Sequence, residues 1–285
     1  MKHVRTYRCS TLALLTVFAA ACAETAAPPT SPSAAGGAAP NFIIGGTPTG
    51  ASSFTNVGAV LTDFNGDGRI QPFDEWYCSG SLISPTVFLT AAHCLDFLPA
   101  DAKVYVSFSP DMGAKGVKLI AGRSFAFDPL EWSNSADPHD IGVITLRAQD
   151  TKGITPLQLP PAGYLDALNE KGALNGQLFI NVGYGGNATL TGQPGFTYDG
   201  VRKMSKSPFQ NLEPAWLLLN MNSNATDEGG DCYGDSGSPK FIDGNPNMVV
   251  ATTITGDVPC RATSKDYRLD TPSARKFLKD YVWLP

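Results

Sequence analysis

The sequence predicts an all-β domain of the sandwich or barrel kind with one C-terminal helix, and three observations carry that prediction. The chain has 285 residues, 42% of them hydrophobic and 16% charged, which is the composition of a folded globular protein with a full core. Short apolar or alternating runs recur between turn residues, at positions 57–61, 82–90, 104–108, 141–146, 178–182, 216–221 and 248–255. No helix-period segment separates them, as expected of antiparallel strands joined by turns. The exception is the C-terminus, where Thr271 and Pro272 read as a helix cap and first turn. Phe277, Leu278, Tyr281 and Val282 then fall on one helical face, a packing stripe for the β-structure.

Residues 1–23 stand apart from this domain. The first eight residues are basic, and residues 12–21 form an apolar run too short to cross a bilayer that ends in small side chains, the pattern of a secretory leader. Two processing routes fit it: cleavage at an Ala-x-Ala site within residues 19–23, or lipid attachment at Cys22. The run ending in Cys22 resembles a bacterial lipoprotein signal, with Ala19 where that signal usually carries Leu. Residues 24–42 are rich in Ala, Pro, Ser and Gly and bury too little surface to offset the entropy of ordering, so they read as a linker or pro-segment. The folded domain is then 43–285, secreted or held at the cell envelope through a lipid anchor.

Removing the three cations and one anion of residues 1–42 takes the formal charge from -5 to -7. An acidic domain without basic clusters is not a nucleic-acid binder. Of six cysteines, Cys9 and Cys22 lie in the leader region and Cys78, Cys94, Cys232 and Cys260 in the domain. Four behind a leader predict two disulfides formed in an oxidising compartment.

Two segments carry chemistry. Nucleophilic attack by serine on a carbonyl needs a base for the hydroxyl proton, a group that fixes the base's tautomer, and donors for the developing oxyanion. His3 lies in the leader, leaving His93 or His139 as base. His93 sits in Leu89-Thr-Ala-Ala-His-Cys94, after a strand-like run and beside a cysteine that a bridge to Cys78 would pin, a closure worth about 3 kcal/mol in the chain-entropy model. His139, in Asp137-Pro-His-Asp140, reads as surface or lip. The second segment is Gly229-Gly-Asp-Cys-Tyr-Gly-Asp-Ser-Gly-Ser-Pro239, whose small residues allow a sharp turn that aims the N–H groups of Gly234 and Ser236 at one spot.

With Ile43-Ile-Gly-Gly46, the block from Cys78 to Cys94, Asp140-Ile-Gly-Val-Ile-Thr-Leu146, Gly183-Tyr-Gly185 and Gly234-Asp-Ser-Gly237 in that order, the domain resembles the trypsin and chymotrypsin family of serine peptidases over nearly its whole length. The resemblance implies two packed six-stranded antiparallel β-barrels with a C-terminal α-helix. It implies an endopeptidase that works through an acyl-enzyme, with Ser236 as nucleophile, His93 as general base, Asp140 as the orienting carboxylate and Gly234 and Ser236 as the oxyanion hole. Asp137, before a Pro in a polar loop, is the rival of Asp140. Cys232 is implied to pair with Cys260, beside the specificity pocket. The resemblance further implies activation by another protease: a cut frees the ammonium of Ile43, which pairs with Asp235. Phe42 precedes that bond where the family commonly has Lys or Arg. The partners implied are a protein or peptide substrate and the activating enzyme, and no cofactor is required.

The pocket departs from the family. Gly230 stands six residues before Ser236, where a Lys- or Arg-selective pocket has Asp, and Asp231 follows it. Lys265 is expected to reach Asp231 and neutralise it, and Ser238 replaces a usual Gly. Residues 63–74, opening on Asp63 and closing on Asp74, place oxygen side chains at positions one, three, five and twelve with Gly at six, as in an EF-hand calcium loop, although Asp stands where Glu is usual and the same residues also suit a hairpin turn. Two other functions use the same residues: a non-catalytic binding protein of this fold, and an esterase or single-substrate processing protease.

Overall fold

The computed structural model describes residues 46–188, 196–226 and 228–285. The leader, the linker, Cys9, Cys22 and Ile43 lie outside the described residues.

Two seven-stranded antiparallel sheets carry the fold. In the first, the order is Ile120–Ala121, Val104–Ser107, Val57–Thr62, Trp76–Ser84, Val87–Thr90, Gly142–Thr145 and Ser124–Phe127. Its two end strands are consecutive in the chain. Gly122 N–H donates to Val104 O and Arg123 N–H to Thr145 O, each at 2.8 Å, so the sheet curls into a half-barrel whose ends meet through that segment. The second runs Thr47–Pro48, Lys203–Leu212, Trp216–Asn220, Thr263–Arg268, Ala251–Gly256, Pro239–Ile242 and Leu178–Gly183. Lys203–Leu212 also pairs with Leu178–Gly183, from Lys203 opposite Gly183 to Pro208 opposite Leu178, which closes six strands into a barrel.

Each apolar run in the sequence became a strand because its side chains fill these interiors. Val60, Leu82, Phe88, Val106 and Ile144 pack inside the first sheet, and Phe179, Leu217 and Leu219 inside the second. Burying each side chain contributes about 1.5–3 kcal/mol. Residues 82–90 form two strands rather than one, because the chain reverses at Pro85 and Thr86. Lys203–Leu212, Pro239–Ile242 and Thr263–Arg268 were not expected as strands. Part of the second barrel's interior is polar, with buried Asn181 donating to the hydroxyls of Ser205 (3.1 Å) and Ser207 (2.7 Å), so alternation of polar with polar hides the strand period.

Arg202 joins the pieces. Fully buried, its guanidinium donates to the carbonyls of Val57 and Phe108 in the first sheet and of Gly50 and Ser53 in the N-terminal segment, at 2.9–3.1 Å. The helix Pro272–Leu278 forms as the sequence predicts: Thr271 Oγ1 accepts the Ala274 N–H at 3.2 Å, a cap worth about 1 kcal/mol. Its stripe packs on the core, with Leu278 fully buried and Phe277, Tyr281 and Val282 against it.

Candidate active site

His93 is delivered by the strand Val87–Thr90 and a single 3₁₀ turn, Ala92–Cys94, tied down by the Cys78–Cys94 disulfide. Asp140 arrives from the other side, just before the strand Gly142–Thr145, and is fully buried. Its Oδ2 lies 2.7 Å from His93 Nδ1 and its Oδ1 accepts the His93 backbone N–H at 3.0 Å. One carboxylate therefore grips both the ring and the backbone that carries it, leaving Nε2 as the ring's other nitrogen. Burial disfavours the imidazolium, but the hydrogen bond and charge of Asp140, with the charges of Glu131 and Asp96, outweigh it and raise His93 above its ordinary value.

The rivals lie elsewhere. His139 is half-buried, has a left-handed backbone (φ 52°), and places Nδ1 2.9 Å from Asp128 Oδ2. Asp137 accepts the Tyr267 hydroxyl at 3.0 Å.

Ser236 sits in a turn whose backbone is pinned on all sides. The N–H groups of Asp235, Gly237 and Ser238 donate to Cys232, Thr253 and Asp235 carbonyls at 3.0, 2.7 and 2.7 Å. Ser79 N–H holds the Ser236 carbonyl at 2.9 Å, and Ser79 Oγ holds that of Gly234, also at 2.9 Å. Among the described residues, the N–H groups of Gly234 and Ser236 have no backbone acceptor, which leaves them for a ligand. Only glycine suits two of these positions. Gly234 has φ 93° and Gly237 φ 81°, and a Cβ would meet the Trp76 ring at 2.7 Å in the first and Thr90 Oγ1 at 2.3 Å in the second. Ser236, His93 and Gly234 line one cleft of about 930 Å³.

Asp235 points the opposite way, fully buried, with Oδ1 accepting Gly185 N–H at 2.8 Å and Oδ2 accepting Cys232 N–H at 2.9 Å. Burial, reinforced by the nearby charge of Asp231, pushes its carboxyl up despite those bonds. Its implied partner Ile43 is outside the described residues.

The pocket beside the Cys232–Cys260 disulfide is built differently from the expectation. At Gly230 a Cβ would meet the Met221 side chain at 2.3–2.6 Å, so Met221 occupies the space a longer side chain would need. Asp231 is neutralised, but Lys265 is not the cation. In the strand Thr263–Arg268, Ser264 and Asp266 face inward and Lys265 outward, exposed. The cation is Lys240, fully buried, with Nζ 2.6 Å from Asp231 Oδ2 and 3.4 Å from Asp266 Oδ1, and hydrogen-bonded to Thr253 Oγ1. Ser264 Oγ bridges the two carboxylates at 2.9 Å from each. Asp231 Oδ1 and Asp266 Oδ2 are buried without a protein partner. Ser238 is accommodated, sharing a 2.7 Å hydrogen bond with Thr253 Oγ1.

Three residues of this region escaped the sequence reading. Lys240 is the one charged residue of Pro239–Ile242, and Asp266 stands between exposed Lys265 and buried Tyr267, so no local motif marks either. Glu131 lies in a loop with no motif. One oxygen of Glu131, one of Asp140 and one ring nitrogen of His93 all fall within 4.8 Å of one another.

The loop of residues 63–74 turns its acidic side chains on itself. Asp63 accepts the N–H groups of Gly66 and Gly68 at 2.7 Å, and Asn65 and Asp67 accept those of Asp67 and Arg69 at 2.8 Å. Asp74, at position twelve, lines the cleft of Ser236 and His93 instead.

Replacing Lys240 by Met leaves two buried carboxylates facing each other, and such a loss costs about 3–5 kcal/mol. Burial raises the Asp266 carboxyl above its unfolded value, so folding favours its neutral form and stability falls as pH rises through that range. Lys240 opposes this, and its removal steepens the fall. The melting temperature of Lys240→Met is therefore expected to lie well below wild type, by more at pH 8.5 than at pH 5.5, as differential scanning calorimetry reads directly.

Comparison with known proteins agrees with this architecture. The family model described as Trypsin matches residues 43–278. A chymotrypsin of Phaedon cochleariae is 28% identical over 201 residues, 66% of each chain. Among solved structures, human heparin binding protein superposes with a TM-score of 0.58 at 17% identity, covering 84% of this chain and 96% of that one. The Vibrio cholerae VesB protease gives 0.60 at 16%, covering 84% and 67%. At such identities the structures speak for the fold, a chymotrypsin-like pair of β-units. The match over residues 43–278 assigns the chain to the trypsin family of serine proteases.

Proposed function

We propose that the chain is a secreted serine endopeptidase in which Ser236 is the nucleophile, His93 the general base and Asp140 the carboxylate that orients it. The observation that supports this most is the double contact of Asp140 with His93, ring and backbone together, at the edge of the cleft that Ser236 lines. With Nδ1–H held by Asp140, Nε2 takes the Ser236 proton as Oγ attacks the substrate carbonyl carbon. The oxyanion that forms is met by the N–H groups of Gly234 and Ser236. Collapse expels the amine, which leaves with the proton from His93, and gives an acyl-enzyme. Water then repeats the sequence and releases the acid.

The leader pattern of residues 1–23 and two disulfides support export to an oxidising compartment, with Cys22 a lipid anchor if the second processing route is used. Activation by an enzyme cutting after Phe42 accounts for Asp235. A buried carboxylate is stable as an ion only beside a cation, and the new ammonium of Ile43 is the cation the family provides. Calcium at the loop opening on Asp63 is a separate proposal that rests on its sequence pattern. A melting temperature that rises with millimolar calcium and falls back with chelator is expected, and an unchanged one would remove the ion from the account.

An active-site phosphonate tests the nucleophile. The wild-type protein is expected to be labelled with one equivalent and Ser236→Ala not at all. Labelling that survives in Ser236→Ala would refute the assignment.

A further inference from the structure

Glu131 is an acidic side chain with no place in the machinery set out above, yet the structure spends several interactions on holding it there. Its loop is anchored at both ends. Asp128 accepts the N–H groups of Leu130, on Oδ1 at 3.0 Å, and of Glu131, on its carbonyl at 3.1 Å, while its Oδ2 holds His139 at 2.9 Å. Trp132 takes a left-handed backbone (φ 51°), donates its N–H to Pro138 O at 2.7 Å and packs its ring 6.0 Å from that of Trp216. Trp216 Nε1 in turn donates to Ser135 O at 3.1 Å. Non-glycine residues in that conformation persist where surrounding contacts over-determine them. The outcome is that one oxygen of Glu131 falls within 4.8 Å of both the His93 ring and the Asp140 carboxylate, while its Oε1 is buried with no hydrogen-bond partner in the protein.

A carboxylate there is disfavoured unless something nearby is positive. Asp140 and Asp96 repel it. The positive charge that belongs in this position is the imidazolium of His93, which above the ring's own titration exists only while it carries the serine proton. We infer that Glu131 is a positioning residue of the catalytic site, a second carboxylate beside Asp140 that stabilises the His93 imidazolium during each proton transfer. This inference rests on His93 being the base.

The electrostatics of the two groups agree with it. Burial first, then the charges of Asp140 and Asp96, pushes Glu131 up to about 7 against the pull of His93, while Glu131 is among the charges that raise His93. Each charge therefore favours the other, so the His93 cation forms more readily beside an ionised Glu131. Above the titration of the ring the cation forms only in the transition state, so there the stabilisation lowers the barrier rather than binding substrate.

The test is the pH dependence of kcat and KM for a peptide amide substrate with the active wild-type protein, Glu131→Gln and Glu131→Asp. An opposite charge at this distance shifts a pKa by about one unit when well shielded, and partial exposure reduces this, so the acid limb of kcat/KM in Glu131→Gln is expected to move down by about 0.5–1 pH unit. On the alkaline plateau kcat should drop about 3–10-fold with KM within about twofold of wild type. Glu131→Asp, which keeps the charge, should recover part of both effects. An unmoved acid limb in Glu131→Gln, or an equal loss at every pH with Asp no better than Gln, would overturn the inference. An inactive wild-type enzyme would instead refute the proposed function, so the two failures are distinguishable.

Discussion

The buried carboxylate of Asp235 is the constraint around which the turn at Ser236 is built. Its two oxygens take the N–H groups of Gly185 and Cys232, which fixes the peptide planes on either side and leaves those of Gly234 and Ser236 facing the cleft. The surrounding chain has made room for it. A Cβ at Gly183 or at Gly185 would fall 2.1 Å from an Asp235 oxygen, so the segment Gly183-Tyr-Gly185 is a mould for this one side chain. The Cys232–Cys260 disulfide and the hydrogen bonds of Ser79 hold the turn from outside. Two backbone bonds and the charge of Lys240 do not make up for the lost hydration of an ion, so burial holds the Asp235 carboxyl up, and a further cation beside it would favour the ion. That is the physical content of proposing that the enzyme is switched on by a new N-terminus.

The same logic, solved differently, governs the floor of the cleft beside the Cys232–Cys260 disulfide. There the charge of Asp231 is met from within the barrel by Lys240, with Asp266, Ser264 and Thr253 completing a polar cluster where a barrel interior is ordinarily apolar. Two buried carboxyl groups share one ammonium below the cleft, and Met221 covers Gly230. The pocket is thus not that of an enzyme with Asp at position 230, and the family membership describes the scaffold and the chemistry rather than the preferred substrate.

What was legible in the sequence follows from how each feature is encoded. The residues around His93 and Ser236 announce themselves because backbone conformation and close packing demand particular small residues in order, as Gly234 and Gly237 do. The C-terminal helix was readable because its cap and its apolar stripe are local. Lys203–Leu212 was not, since its inward residues Ser205 and Ser207 are hydrogen-bonded polar groups and leave no apolar alternation. Lys265 is the counter-ion of Asp231 that the sequence offers, because the family resemblance puts it in the opposite pocket wall, where a small residue is usual. The strand period decides otherwise, turning Ser264 and Asp266 inward, while the true partner comes from a different strand. Glu131 comes near His93 through a loop held by His139 and by the distant Trp216, a long-range packing that no local pattern encodes.

If the Asp235 carboxylate is the switch, the chain must begin at Ile43 when it is active. N-terminal sequencing of the protein purified by its activity is the most direct measurement of that claim. The account predicts Ile43 as the first residue, with the uncut chain at least about a hundredfold less active, as removal of a single oxyanion donor already costs. An active enzyme with any other first residue, or an uncut chain of equal activity, would contradict it.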